Sequence, residues 1–348
     1  MSVALVVPRL DPFQFILISS EIMASSWCVK QIAKMEAVIQ RDEGGRGIRK
    51  LCRKGGALYE IGTQLFRAKR VTILTGFPCL QREGGANSSS NLPPTETDGP
   101  SGAIAICRAL LRLDEVKEVV IATDECNASV LKACANEGLR KENNNSWRLE
   151  IFSPKLYWNA KEQEKLEMIA AWSSHIIAIE RGSLAKDGNA YTMSGKVMGP
   201  DLMAPLDQLF QKNFRAKYPN YSTSCIGDGG NELGMGSISD LIEIHVPKGP
   251  LIVSASPSDT LLCASVSNWG GYAAAAALQV ISNKSDKILI PSEEEEIKTI
   301  KAANDAGARD GITGEANLSV DGISIEGHLG ILEELRSIAE EKNHQESE

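Results

Sequence analysis

Short runs of apolar and β-branched residues at 70–75, 116–122, 147–152, 175–179 and 223–226 are separated by longer stretches with helical spacing. Trp27, Ile32, Met35 and Ile39 recur at three- to five-residue steps and predict a helix over 25–40; Leu58, Ile61, Leu65 and Phe66 predict another over 56–68. Further helices are predicted over 103–113, 127–137, 160–172, 205–216, 272–281 (rich in alanine), 292–306 and 327–342. Residues 241–246 read as one more strand, antiparallel or at an edge because of their polar alternation and Pro247. Short strands alternating with longer helices predict an α/β fold, a largely parallel sheet flanked by helices. Residues 307–325 hold several glycines and acids and receive no assignment.

This pattern fits a single domain over 21–342, with an N-terminal extension at 1–20 and a frayed tail at 343–348. Within the domain, 79–98 is a long loop with a serine- and asparagine-rich tip, either a functional lid or disordered. Pro8, Arg9, Asp11 and Pro12 interrupt the apolar start, so no span there reaches the roughly 20 residues of a membrane helix. The segment is also poorer in arginine and richer in acids than a transit peptide.

Composition narrows the partners. A net charge of −8 and a pI near 5.3 argue against nucleic acid or an anionic membrane, both of which need a positive patch. Eight scattered cysteines, with no Cys-x-x-Cys pair, fit reduced thiols inside a cell, cytoplasmic or mitochondrial. With four histidines a His-based zinc centre is not expected.

The polar residues with chemistry gather where the strands end. The run at 223–226 breaks into Gly227-Asp228-Gly229-Gly230-Asn231-Glu232-Leu233-Gly234-Met235-Gly236, which leaves Asp228, Asn231 and Glu232 as strong ligands on a backbone free to turn sharply. The other exits carry Gly76 with Glu96 and Asp98; Asp124 and Glu125; Glu180 and Arg181; and Asn268, Gly270 and Gly271. In parallel sheets ligands bind beyond the carboxyl ends of the strands, so these exits predict one shared site. Its carboxylates would repel one another unless protonated or joined by a cation, and an all-oxygen set suits Mg²⁺ or Mn²⁺ rather than zinc. Arg181 and Lys186 are the anion-binding candidates. Plainer readings stand beside these: Asp98 as a cap for the helix after Pro100, Arg181 in a salt bridge to a neighbouring acid, Lys186 and Asp187 in a solvated loop. NAD is not expected, because the acids of the glycine stretch would meet its pyrophosphate head on.

Five motifs then bear a resemblance: Leu74-Thr75-Gly76-Phe77-Pro78, Pro93-Pro94-Thr95-Glu96-Thr97-Asp98-Gly99-Pro100, Ala178-Ile179-Glu180-Arg181, the stretch from Ile226 to Gly236, and Val266-Ser267-Asn268-Trp269-Gly270-Gly271. Together, over 35–340, the chain resembles the C-terminal domain family of D-glutamate cyclases. The resemblance implies conversion of D-glutamate to 5-oxo-D-proline with loss of water. Set against mammalian members, the expectation from the resemblance is a chain without their large N-terminal domain and with an insertion at 84–91. Under this reading Arg181 holds the substrate, Glu180 or Asp124 is the base, and Glu96, Asp98, Asp228, Asn231 and Glu232 hold a Mn²⁺ or Mg²⁺. Gly76, Thr97, Lys186, Asn268, Gly270 and Gly271 complete the substrate site. The expected partner is a small anionic substrate, and a homo-oligomer is compatible with the sequence. Two other classes fit the same acidic rim: a metal-dependent hydrolase or phosphatase of a small phosphorylated metabolite, and a non-catalytic amino-acid or ion-binding module.

Overall fold

The structure, a computed structural model, describes residues 12–53, 55–80, 94–113, 117–142, 146–283 and 288–341, with side chains from residue 26 onward. Residues 1–11 of the expected extension, 81–93 of the expected loop and the tail at 343–348 lie outside the described residues.

In chain order the strands are β1 (Arg70–Gly76), β2 (Glu118–Asp124), β3 (Trp147–Phe152), β4 (His175–Arg181), β5 (Ala190–Tyr191), β6 (Val197–Met198), β7 (Ser222–Gly227), β8 (Thr260–Cys263), β9 (Ser319–Val320) and β10 (Ile323–Ser324). The helices are α1 (Pro12–Ile39), α2 (Ala57–Arg67), α3 (Pro100–Arg112), α4 (Ala128–Gly138), α5 (Ala160–Trp172), α6 (Lys212–Lys217), α7 (Ser239–His245), α8 (Gly249–Ile252), α9 (Ser267–Ser282), α10 (Glu293–Asp305) and α11 (Ile325–Glu340).

Six strands make one sheet in the order β3-β2-β1-β4-β7-β8, and every neighbouring pair is parallel. The two-residue strands form separate antiparallel pairs, β5 with β6 and β9 with β10. Successive side chains leave the sheet on opposite faces: Val71, Ile73, Ile121, Ile177 and Ile179 join the helix-rich core, while Leu74, Val120, Ala122, Ile176 and Ala178 join the core beneath α5. Both faces are covered, which is why these strands appear in the sequence as continuous apolar runs. The chain builds outward from β1 to β3, then returns to β4 on the other side of β1. Diverging connections beyond the carboxyl ends of β1 and β4 open the crevice in which doubly wound sheets hold their ligands.

The centre of the helix-rich layer is α9, which packs against α1, α2, α3 and α11. Ala273 to Ala277 are all fully buried. A helix apolar all round is a buried helix, and its alanines let neighbours come close. The closest approach is to α3: a Cβ on Gly271 would lie 2.5 Å from the Gly102 Cα and 2.6 Å from its carbonyl oxygen.

The first helix is longer than predicted, α1 beginning at Pro12 within the expected extension, and three later elements differ. The expected strand at 241–246 is the helix α7, whose Ile242 is buried with Ile238 and Val253 while Ile244 is 73% exposed. The edge strand is instead β8, four residues too short to stand out from its flanks. The helix expected over 205–216 is a 3₁₀ turn, Leu206–Phe210, followed by α6. Finally, α9 starts at Ser267, ahead of the alanine run, so Asn268, Gly270 and Gly271 are helical rather than loop residues.

The Gly102–Gly271 contact is a point where added volume has nowhere to go, since the opposing atoms are backbone. Gly271→Ala is expected to lower stability by about 1–3 kcal/mol as an overpacked contact, although alanine is the better helix former by about 1 kcal/mol. Urea unfolding of the two proteins checks this.

Candidate functional site at the centre of the sheet

The crevice between β1 and β4 is organised by two helices that cap each other. The Asp98 carboxylate, in the segment leading to α3, accepts the first N–H groups of α9: Ser267 N at 2.8 Å and Asn268 N at 2.7 Å. In return the Asn268 side-chain oxygen accepts Gly99 N at 3.0 Å and Gly102 N at 2.7 Å at the start of α3, and its amide donates to the Thr97 carbonyl at 3.0 Å. Asp98 is therefore a cap, as one reading of the sequence had it, but for α9 rather than α3. Each side chain satisfies backbone donors that helix starts leave unpaired.

Glu180 enters from β4. Thr75 pairs with Ile179 and Gly76 with Arg181, so Glu180 is an extra residue in a β-bulge. Its φ of 42° is rare for a residue with a side chain, a strain that surrounding structure must hold. Ser267 Oγ donates to its Oε2 at 2.7 Å, and Gly99 makes room beside it, since a Cβ there would sit 2.6 Å from the Glu180 Cβ. Asp228 arrives from the end of β7. Asp98, Glu180 and Asp228 each offer a carboxylate oxygen within 4.8 Å of the others, and all three are at least nine-tenths buried.

The charges are hard to accommodate without a cation. Burial, with the fields of Asp321 and neighbouring acids, pushes Asp98 up to about 8 and holds Glu96, Glu180 and Asp228 well above the ordinary carboxylate range. Three oxygen donors whose carboxyls are disfavoured as charged groups by burial and by one another fit a hard divalent ion such as Mg²⁺ or Mn²⁺, which would stabilise their charged form. The triad can hold a metal; the donor set does not select which.

Other candidates fall elsewhere. Glu232 turns back on its own loop, accepting Asp228 N at 3.0 Å, Gly229 N at 2.6 Å and Gly230 N at 2.5 Å, so it braces the glycine turn that presents Asp228. Asn231 donates to the Tyr191 carbonyl at 2.7 Å and ties that turn to β5. Arg181 does not turn toward the triad. Its Nη1 and Nη2 grip Asp124 bidentately, with Nη2 to Asp124 Oδ1 at 2.9 Å, and Nη2 also reaches the Ala204 carbonyl at 2.9 Å. Asp124 in turn accepts Ala204 N at 2.7 Å, and both side chains are sealed from solvent. The pair is a strut between β2 and β4, which leaves neither a guanidinium for substrate nor a carboxylate for proton transfer. Lys186 is exposed and paired with Glu243. Thr97 bonds the Ser319 carbonyl, and Gly76 makes room for Asn127 and Thr123, 2.6 and 2.7 Å from a would-be Cβ. Gly270 and Gly271 serve packing, the first against Ile226. Glu96 is partly buried and lies against Gly311.

Two charged residues of the cluster carry no candidacy in the sequence. Arg46, in the turn after α1, contacts Asp228 through Nη2 and Asp321 through Nη1 at 2.8 Å. Asp321 precedes Gly322 in the segment left unassigned. The available signal for Arg46 was its setting in Gly44-Gly45-Arg46-Gly47, glycines that bring a backbone close to something. A cavity of about 680 Å³ lined by Arg215, Tyr221 and Asp259 is separate from all these acids, and its Arg215 and Asp259 neutralise each other.

A doubly wound parallel sheet with three converging carboxylates at its switch point, able to hold a cation, defines the class: an α/β protein built around a buried acidic centre. Residues 35–336 match the family described as D-glutamate cyclase-like, C-terminal, and the chain belongs to that family. It is 32% identical over 271 residues to human mitochondrial D-glutamate cyclase, an alignment covering 74% of this chain and 40% of that protein. The chain thus matches less than half the length of this relative. Among the described residues no helix is long and apolar enough to cross a membrane.

Two outcomes test these assignments. Removing one member of the buried Asp124–Arg181 pair, as in Arg181→Leu, strands a charge and is expected to cost about 3–5 kcal/mol in urea unfolding. With a chelator present, stability should fall as pH rises from about 6.5 to about 8, above the range in which buried His175, held down to about 4, works in the opposite direction. The folded protein holds the Asp98 proton across that window and the unfolded chain, titrating near 4, does not, so the stabilisation is lost as pH passes the folded value. Asp259 and Asp310, held low elsewhere, stay ionised throughout and do not contribute. Thermal melts at several pH values, repeated with Mn²⁺, check it; the ion should flatten the dependence.

Proposed function

We propose that the chain cyclises D-glutamate to 5-oxo-D-proline and water at the Asp98, Glu180 and Asp228 centre. One observation carries the reading: three buried carboxylates converge at the switch point of the sheet, in a chain belonging to the D-glutamate cyclase-like family. The relative's activity is that of a longer protein, and the proposal places ring closure in the part the two share.

In the reaction the amine attacks the side-chain carboxyl carbon. A C–N bond forms, one C–O bond breaks, and two protons from the ammonium leave with the departing oxygen as water. The site must therefore free the amine, make the carboxyl electrophilic and protonate the oxygen that leaves. Asp98, Glu180 and Asp228 are the residues that would hold a divalent cation, which supplies Lewis-acid polarisation of the reacting carboxyl. Their geometry is fixed by other bonds: Asp98 by two backbone N–H groups of α9, Glu180 by Ser267, and Asp228 by the turn that Glu232 braces. With Asp124 committed to Arg181, we assign proton transfer to Glu96, whose carboxyl is near enough to the centre for the charges of Asp321 and Asp98 to act on it beside the larger effect of burial. Its raised pKa suits a carboxyl that takes a proton from the ammonium and returns it to the departing oxygen. Burial of the centre strengthens each of these interactions relative to water.

Incubation of the purified protein with D- or L-glutamate, with and without Mn²⁺, and detection of 5-oxoproline tests the proposal. Metal-dependent product from D-glutamate is expected, with Asp228→Asn lowering kcat by about 100-fold or more, in line with several kcal/mol of Lewis-acid stabilisation. Phosphate release from a panel of phosphate esters without 5-oxoproline would replace the reading with a metal-dependent hydrolase. Ligand-dependent melting with no turnover would leave a binding module.

A further inference from the structure

Arg46 is a basic side chain that meets the acid cluster, and the local backbone is shaped to place it there. Gly45 and Gly47 adopt φ values of 64° and 82°, so the turn after α1 doubles back and delivers the side chain to the end of β7. A second tie holds the turn, as Asp42 accepts Gly47 N at 2.9 Å. The guanidinium then spans two carboxylates, Asp228 and Asp321, and Nη2 also lies 3.3 Å from the Ser265 carbonyl. Arg46 is 29% exposed, whereas the carboxylates it covers are 7% and 6% exposed, so it sits on the outer side of the cluster, where a substrate would arrive. The other arginine and lysine singled out in the sequence are spent on Asp124 and Glu243.

Asp228 belongs to the metal-competent triad and Asp321 does not. A divalent cation and the Arg46 guanidinium therefore draw on the same carboxylate and repel each other across it. Asp321 remains as a hinge point for the arginine. A guanidinium with one edge released is a planar fork matched to a carboxylate, a geometry lysine lacks.

We propose that Arg46 determines substrate specificity: it exchanges Asp228 for a carboxylate of the incoming substrate when a cation is taken up by the triad, keeping Asp321 as its second partner. The inference rests on the cyclisation reading for the identity of the substrate, but not for the exchange itself. It assigns the substrate class as α-amino dicarboxylic acids, one carboxyl reacting at the cation and the other gripped by Arg46.

Calorimetry with Mn²⁺ alone, and with glutarate as a dicarboxylate that has no amine to cyclise, reads the exchange without turnover. In the unaltered protein saturating glutarate is expected to tighten Mn²⁺ binding about tenfold, because each ligand favours the released arginine. In Arg46→Gln, Mn²⁺ alone should bind about fivefold tighter, the competing cation being gone, while glutarate binding weakens at least about tenfold. Arg46→Lys keeps the charge and loses the fork, and should raise KM for D-glutamate with a smaller effect on kcat. Independent or antagonistic binding of Mn²⁺ and glutarate in the unaltered protein would overturn the proposal, a result that needs no variant to fold. So would an Arg46→Gln protein that binds Mn²⁺ no more tightly, or glutarate as well as before. Coupling in the unaltered protein without any 5-oxoproline from D-glutamate would keep the exchange and discard the cyclase reading.

Discussion

The reciprocal capping of α3 and α9 is the contact on which the centre of this protein depends. Asp98 and Asn268 each stand at the start of one helix and close the backbone of the other, and the glycines at 102 and 271 bring the helices near enough for this to happen. A cap in general contributes about 1 kcal/mol. Here the same carboxylate that caps is one of three that can take a cation, so helix packing and ligand geometry are set by a single side chain. The alanines buried along α9 have a related logic, since small side chains all round let α1, α2, α3 and α11 pack close to it, as Ala277 does against Gly62 of α2.

Two kinds of buried charge sit a few residues apart and behave oppositely. Asp124 and Arg181 neutralise each other with several further hydrogen bonds, and the pair is complete. Asp98, Glu180 and Asp228 have backbone donors, one serine and one arginine between them, too little positive charge for three carboxylates. The bulge in β4 separates these regimes, sending Glu180 to the acidic side and Arg181 to the strut. An acidic centre with an incomplete complement of positive charge is the expected state of a site that binds a cation as part of its work.

Much of this was legible in the sequence because it is periodic. The parallel sheet and the gathering of polar residues at its strand exits follow from apolar runs that stop at acids and glycines, and both appear in the structure. What a residue does at its exit is set by partners far away in the chain, and there the local pattern is mute. Glu180 and Arg181 are adjacent and look alike as candidates, yet only a bulge in the register decides that they part. Glu232 looks like a ligand until its three N–H donors are seen, two to four residues behind it. Arg46 and Asp321 are 275 residues apart, in a turn and an unassigned segment, and nothing in either neighbourhood points to the other. The short β8 and the helical α7 show the same limit for secondary structure: a four-residue strand and a two-turn helix are both too short for periodicity to distinguish from loop.

The centre also bears on how the chain holds together. Residues 46, 98, 180, 228 and 321 span most of the described sequence, and they meet in one cluster: three carboxylate oxygens within 4.8 Å of one another and an arginine joining one of them to Asp321. A small ion lodged among Asp98, Glu180 and Asp228 would act as a rivet joining the exits of β1, β4 and β7, adding stability that grows with the logarithm of its concentration above its dissociation constant. Depletion of that ion would then loosen the three strand exits together, making the stability of the fold a gauge of the ions around it.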